Sequence, residues 1–154
     1  MPLREELTQA LRTAMKSRET RAVSTIRLIL TAVKDRDIAA RGKGNTEGIS
    51  DQDILQVLQT MIRQRHEAIA LYQQGGRQEL AAQEEEEIRI IERFMPKQLG
   101  DDEMRAAIQA VAAEIGATTI KDMGRAMAVL RTRYAGQMDF GKAGATLKQL
   151  LGAL

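Results

Sequence analysis

Apolar residues recur along this chain at intervals of three and four, and no useful stretch alternates with period two. The first spacing gathers side chains on one face of an α-helix, whereas strands need alternation. Leu3, Leu7, Ala10, Leu11 and Ala14 predict a first helix over residues 3–16, closed by a polar break at 17–20. Val23, Ile26, Ile29, Leu30 and Val33 predict a stronger second helix ending near Arg41 and Gly42. Residues 42–48, GKGNTEG, have the composition of a mobile, solvated connector; a flexible basic contact is the functional alternative. Ser50 then stands as an N-cap, with Asp51 and Asp53 where the helix dipole favours negative charge. The third helix it opens carries Ile54, Leu58, Met61, Ile62, Ile69 and Tyr72 as its stripe and stops at Gly75 and Gly76.

A fourth helix is expected from about Arg77 to Phe94. Its run of four glutamates, residues 84–87, interrupts the apolar pattern and is expected to be mostly solvated. Residues 90–99, IIERFMPKQL, form a joint: Pro96 ends the helix and pushes the preceding residue out of helical geometry. Phe94 and Met95 are expected to wedge the two sides together, with Lys97 and Gln98 in water. Beyond it, Leu99 can staple onto Met104 while Glu103 reaches back to a cap at Gly100. Met104, Ile108, Val111 and Ile115 give a fifth helix. Thr118 or Thr119 caps a sixth with Ile120, Met123, Met127, Leu130 and Tyr134, and Ala143, Leu147, Leu150 and Leu151 mark a seventh. The fold predicted is all-α, a four-helix array followed by a three-helix bundle, with subdomains at 1–96 and 97–154.

Composition narrows the chemistry. Aromatic residues are 3% of the chain and tryptophan is absent, so the core must be aliphatic. No cysteine is present, which removes disulfides, thiolate zinc sites and thiol nucleophiles. No apolar run reaches the roughly 18–20 residues that cross a bilayer. The opening MPLREELTQA reads as an amphipathic helix and not as a signal peptide, so a cytoplasmic location is expected, away from membranes.

His66 is the only histidine and sits one turn from Ile62 and Ile69, the place of a partly buried structural residue. The carboxylates form surface runs. Glu84–Glu87 offers acids at one-turn spacing but has no histidine or second acidic motif beside it, so a solvated face is the expectation. No phosphate-cradling glycine loop or dinucleotide fingerprint occurs. This inventory names no catalytic residue, no metal ligand and no cofactor.

The basic residues say more. Net charge is only +2, yet residues 1–46 hold ten Lys or Arg against five acids, while residues 77–99 hold six acids against four bases. Arg27, Lys34 and Arg41 line one side of the second helix. Lys121, Arg125, Arg131 and Arg133 face a single acid, Asp122, within residues 121–133, and Lys142 follows. Such groups can track a phosphate backbone; ordinary solvated helix charges are the alternative. The four aromatics are widely spaced, so any RNA bound would be folded or double-stranded and read by shape. Eight methionines serve either as core filling or as an adaptable partner surface.

Four segments together resemble the GatB/YqeY family: RLILTAVKDRDI (27–38), RQRHEAIALYQQGGRQELA (63–81), IIERFMPKQL and KDMGRAM (121–127). ISDQDILQVLQTMIRQR, from residue 49, follows the same pattern, and the order and length match a stand-alone YqeY-like chain from end to end. The resemblance implies a helical array followed by a three-helix bundle. It also implies kinship with the tail domain of the B subunit of glutamine-dependent tRNA amidotransferase, which helps to hold tRNA. The catalytic cradle and the amidase of that enzyme are not encoded here, so kinship to carbon–nitrogen ligases with glutamine as amido donor does not imply the activity. By this resemblance the expected partners are tRNA and the amidotransferase or another tRNA-handling protein. A protein-interaction adaptor and an auxiliary ligase component are the alternatives. The carried-over contact positions are Lys121, Gly124, Arg125, Gly141 and Lys142, joined on electrostatic grounds by Arg131 and Arg133. Glycine inside a helix costs about 1 kcal/mol against alanine. Gly124 therefore needs a reason, and close helix packing is the first expectation, ahead of close approach of an RNA backbone.

Overall fold

In a computed structural model that describes residues 1–152, the described chain has seven α-helices and no strand. They are α1 (Leu3–Lys16), α2 (Thr20–Arg41), α3 (Asp51–Gln74), α4 (Gln78–Glu92), α5 (Asp101–Glu114), α6 (Met123–Arg133) and α7 (Phe140–Gly152). A short 3-10 turn, Ile120–Asp122, leads into α6. The fold is all-α, four helices followed by three, as the spacing predicts. The chain separates into two compact units, Met1–Met95 and Pro96–Leu154.

In the first unit α3 packs along α4, α1 along α2, and α2 also meets α4. Leu3 and Leu7 of α1, Ile29 and Val33 of α2, Ile54 and Leu58 of α3, and Ile91 of α4 close one apolar cluster. Full burial of such a side chain is worth roughly 1.5–3 kcal/mol. Among the described residues no aromatic side chain is fully buried, and the core is aliphatic, as the composition predicts. Ser50 caps α3 through its hydroxyl, which accepts the Asp53 N–H at 3.1 Å. Thr25 of α2 is fully buried and its hydroxyl has no partner among the described residues. An unpaired buried hydroxyl costs about 1–3 kcal/mol. Thr25→Val keeps the shape and removes that group, so its urea midpoint should rise, by about 1 kcal/mol of stability. An unchanged or lower midpoint would show that the hydroxyl is satisfied in solution.

Residues 42–47 are exposed, as a solvated connector requires, and the loop is anchored where it ends. Arg4 of α1 holds Asp37 of α2 in a two-pronged ion pair, Nη1–Oδ2 2.7 Å and Nη2–Oδ1 3.0 Å. Asp37 Oδ1 also accepts the Ile49 N–H at 2.9 Å, and Arg4 Nη2 donates to the Ile49 carbonyl at 3.3 Å. The end of the loop is thereby tied to two helices. Asn45 closes the bend from within, bonding both the Glu47 N–H and the Gly48 carbonyl.

The glutamate run is also different from expectation. Glu85 and Glu86 are exposed, but Glu87 is buried and Glu84 half-buried. The two stand one turn apart on α4, facing Arg65 of α3. Arg65 occupies the stripe position between Met61 and Ile69, four residues from each. A cation in the stripe calls for anions opposite it, and the run supplies them.

α4 ends at Glu92 in a tightened turn, with Arg93, Phe94 and Met95 donating to carbonyls three residues back. Phe94 and Met95 pack on the first unit's apolar clusters. Lys97 and Gln98 are both exposed, as expected, and Gln98 also donates to the carbonyls of Pro96 and Gly136. Leu99 N–H donates to the Gln137 carbonyl at 2.8 Å.

The second unit is a three-helix bundle around Ile108 and Val111 of α5, Ala126 and Leu130 of α6, and Leu147 and Leu151 of α7. Glu103 accepts the Gly100 N–H at 3.2 Å, the half of a capping box that a glycine cap allows. Gly116, at φ +69°, turns α5 into the next segment while Ala117 N–H returns to the Ala112 carbonyl.

Candidate nucleic-acid interface

The candidate contact residues lie on α6, its leading turn and the start of α7. Ala126, Met127 and Leu130 are buried, which turns Gly124, Arg125, Ala128 and Thr132 outward together with Lys121. Gly124, Ala128 and Thr132 are spaced by four and make this face low and smooth.

Gly124 is not a packing residue. A Cβ built there meets nothing within 4 Å, so the expected close helix contact is absent. The position is exposed because the face that packs runs through Ala126, Met127 and Leu130. Gly141 differs again. Its N–H donates to Asp139 Oδ1 at 2.8 Å and the Lys142 N–H reaches the same oxygen at 3.3 Å. Asp139 therefore occupies the start of α7, and what remains to meet a phosphate there is the exposed Lys142 side chain.

The seven predicted positions form two groups instead of one pocket. Lys121 and Arg125 stand at the beginning of α6, Arg131 and Arg133 at its end. The ten residues from Lys121 to Arg131 correspond to roughly 15 Å at the helical rise of 1.5 Å. α7 returns beside α6, since a Cβ at Gly144 would meet Met127 at 3.9 Å and one at Gly152 would meet Ile120 at 4.0 Å. Gly141 and Lys142 thus join the Arg131 and Arg133 end.

Arg133 and Arg125 are tethered. Arg133 forks onto Glu114 at 2.8 and 3.1 Å and holds that carboxyl below the usual carboxylate range. Arg125 donates to Asp122 Oδ1 at 2.9 Å. Asp122 Oδ2 accepts the N–H groups of Thr118 and Thr119 at 2.9 and 3.1 Å. The Thr118 N–H, the Arg125 guanidinium and the Thr119 N–H lower the Asp122 carboxyl to about 2. Lys121 and Lys142 are exposed and have no ion pair among the described residues.

A lowered carboxyl stabilises the fold above its unfolded pKa, near 3.9, and that contribution is lost as pH falls towards 2. Asp122→Asn should therefore melt below the wild type at pH 5, and the two curves should converge by pH 2. Curves separated by a constant amount throughout that window would contradict the assignment.

Elsewhere the inventory changes little. His66 is exposed on α3, not part-buried, because Arg65 takes the stripe position beside it. Among the described residues no three His, Asp or Glu side chains are gathered as a metal site needs. No helix among them is long and apolar enough to cross a membrane.

A two-part, all-helical chain with a smooth basic helix in its second part defines the class. The sequence profile of the Yqey-like protein family matches residues 4–151, and the chain belongs to that family. It is also similar to Uncharacterized protein C22F3.15 of Schizosaccharomyces pombe, at 31% identity over 84 residues. That match takes in 54% of this chain, and the chain spans 64% of the length of the curated relative.

Proposed function

We propose that this chain is a non-catalytic cytoplasmic protein that holds tRNA through the exposed face of α6 and the start of α7. Residues 97–154 act as the RNA-holding subdomain and residues 1–96 as a separate helical one. The observation that carries the reading is Gly124. It spends helix stability at an exposed position with open space above it, between Lys121 and Arg125. A backbone approaching closely from outside is the use of that space that packing does not supply. The likeness to the tRNA-holding tail domain supports the same surface. The two basic groups suit a strand that runs along α6, with the exposed Arg125 guanidinium able to add a phosphate oxygen beside its bond to the half-buried Asp122.

The test is tRNA binding across a salt series. Each phosphate neutralised adds roughly 0.7–0.9 to the log–log slope, so Lys121→Ala with Arg125→Ala should flatten it by about 1–2 and weaken binding about tenfold. Gly124→Leu should weaken binding while raising helicity and melting slightly, since leucine favours the helix over glycine and meets open space there. Absence of salt-sensitive binding at micromolar protein, or variants that bind as the wild type does, would overturn the reading.

A further inference from the structure

We propose that the first unit carries a separate site for a phosphate group, in a cleft between the start of α2 and the outward face of α4. The cleft encloses about 660 Å³, within the range of small-molecule sites. Arg21 enters it from α2, and Arg89 and Arg93 from one face of α4. Two glutamates, Glu19 and Glu86, share the rim, and Ala22 and Ile90, both buried, contribute to its lining.

Three features make this an acceptor-seeking cleft and not a self-satisfied charge cluster. The first is the state of the arginines. Arg21 approaches Glu86 only to 3.5 Å and Arg93 approaches Glu19 only to 3.9 Å, with every partner more than a third exposed. Contacts of that length and exposure contribute little and are readily exchanged. Arg89, exposed in the same cleft, has no ion pair among the described residues. Second, the arginines come from two helices, so they meet a guest from two sides. A tetrahedral anion with several acceptor oxygens can take forked bonds from both; a single planar carboxylate cannot serve them all equally. The third is the backbone. Glu19 stands at the N-cap of α2 but makes no side-chain cap bond, and the first turn of α2 holds no acid. The peptide N–H groups that open the helix are therefore not answered by the cap, and they add partial positive charge at the same place.

The cleft is larger than one phosphate, so the group arrives attached to something: a phosphorylated small molecule, or the phosphodiester of an RNA strand. The residues involved are remote in sequence from α6, and the site does not depend on RNA binding by the second unit.

The experiment follows the backbone amides of Thr20, Arg21 and Ala22 by NMR in the full chain. Inorganic pyrophosphate and, separately, tRNA are added with ionic strength held constant by sodium chloride. Saturable shifts of these amides with pyrophosphate, lost in Arg89→Ala and in Arg89→Ala with Arg93→Ala, support a site for phosphorylated small molecules. Shifts with tRNA alone, lost in the same variants, support the phosphodiester source. Arg89 has no partner to lose, so its single variant should melt as the wild type does and keeps the test readable. No shift with pyrophosphate up to a 20-fold excess or with tRNA at equimolar amounts, or shifts that survive both variants, would overturn the proposal.

Discussion

Arg65→Met should lower the stability of the first unit by about 3 kcal/mol at neutral pH, and the loss should shrink as the solution is acidified. Arg65, Glu84 and Glu87 lie between α3 and α4 with side chains only 12%, 20% and 10% exposed. Arg65 Nε lies 3.3 Å from Glu87 and 3.9 Å from Glu84, and Nη1 donates to the Met61 carbonyl at 3.1 Å. Taking away one member of a buried pair strands the other, which typically costs 3–5 kcal/mol; the residual exposure here places the cost at the lower end. Methionine keeps much of the volume, so the loss reports charge more than packing.

The pH dependence follows from Glu84. Burial first, and then the neighbouring Glu87, push the Glu84 carboxyl above its ordinary range, with Arg65 opposing them. A raised carboxyl makes the folded state bind more protons than the unfolded state between the two pKa values. Stability therefore falls as pH rises through that window. Without Arg65 the window must widen, because the opposing influence is gone. Urea titrations at pH 7 and pH 5 should give a smaller deficit at pH 5, and adding Glu87→Gln to Arg65→Met should restore part of it. An equal deficit at both pH values would mean that the carboxylates are not what the arginine holds.

The helices were legible in the sequence because each carries its own instructions. Stripes at three and four, Ser50 before two aspartates, and Pro96 after Met95 act locally, and the helices lie where they predict. The glutamate run differs from its expectation for the opposite reason. Four adjacent glutamates look solvated in one dimension, but residues 84 and 87 share a face, and only the packing of α3 on α4 reveals a cation waiting there. The same limit hid the arginine cleft. Residues 77–99 count as acidic overall, yet the helix turns Glu84 and Glu87 towards Arg65 while Arg89 and Arg93 reach the cleft with Arg21. Gly124 was legible as an anomaly but not as to cause, since the space above a helix is a property of the assembled bundle.

Gly48→Ala should cost about 2–3 kcal/mol, more than a loop substitution ordinarily does. Two effects combine at this residue. Its φ is +95°, which an alanine adopts only with strain on the order of 1–2 kcal/mol. A Cβ there would also stand 2.9 Å from Arg4 Nη2 and 3.2 Å from Asp37 Oδ1. A free arginine tip would swing aside at little cost, but this one is held by Asp37 and the Ile49 carbonyl. Moving it weakens bonds to charged groups, each worth about 1.5–3 kcal/mol when well formed, less here because Arg4 is 39% exposed. The two effects separate in a double-mutant cycle. In an Arg4→Ala background the backbone strain persists but the collision with the guanidinium is gone, so Gly48→Ala should then cost about 1–2 kcal/mol. Acid supplies an independent check, because the Arg4 guanidinium holds the Asp37 carboxyl below its usual range. The clamp's contribution is complete above the unfolded carboxylate pKa and declines as pH falls through the folded value. The extra cost of Gly48→Ala over its cost in the Arg4→Ala background should therefore fade on acidification. A cost that is the same in both backgrounds would assign the whole effect to the backbone and leave the clamp without a part in fixing the loop.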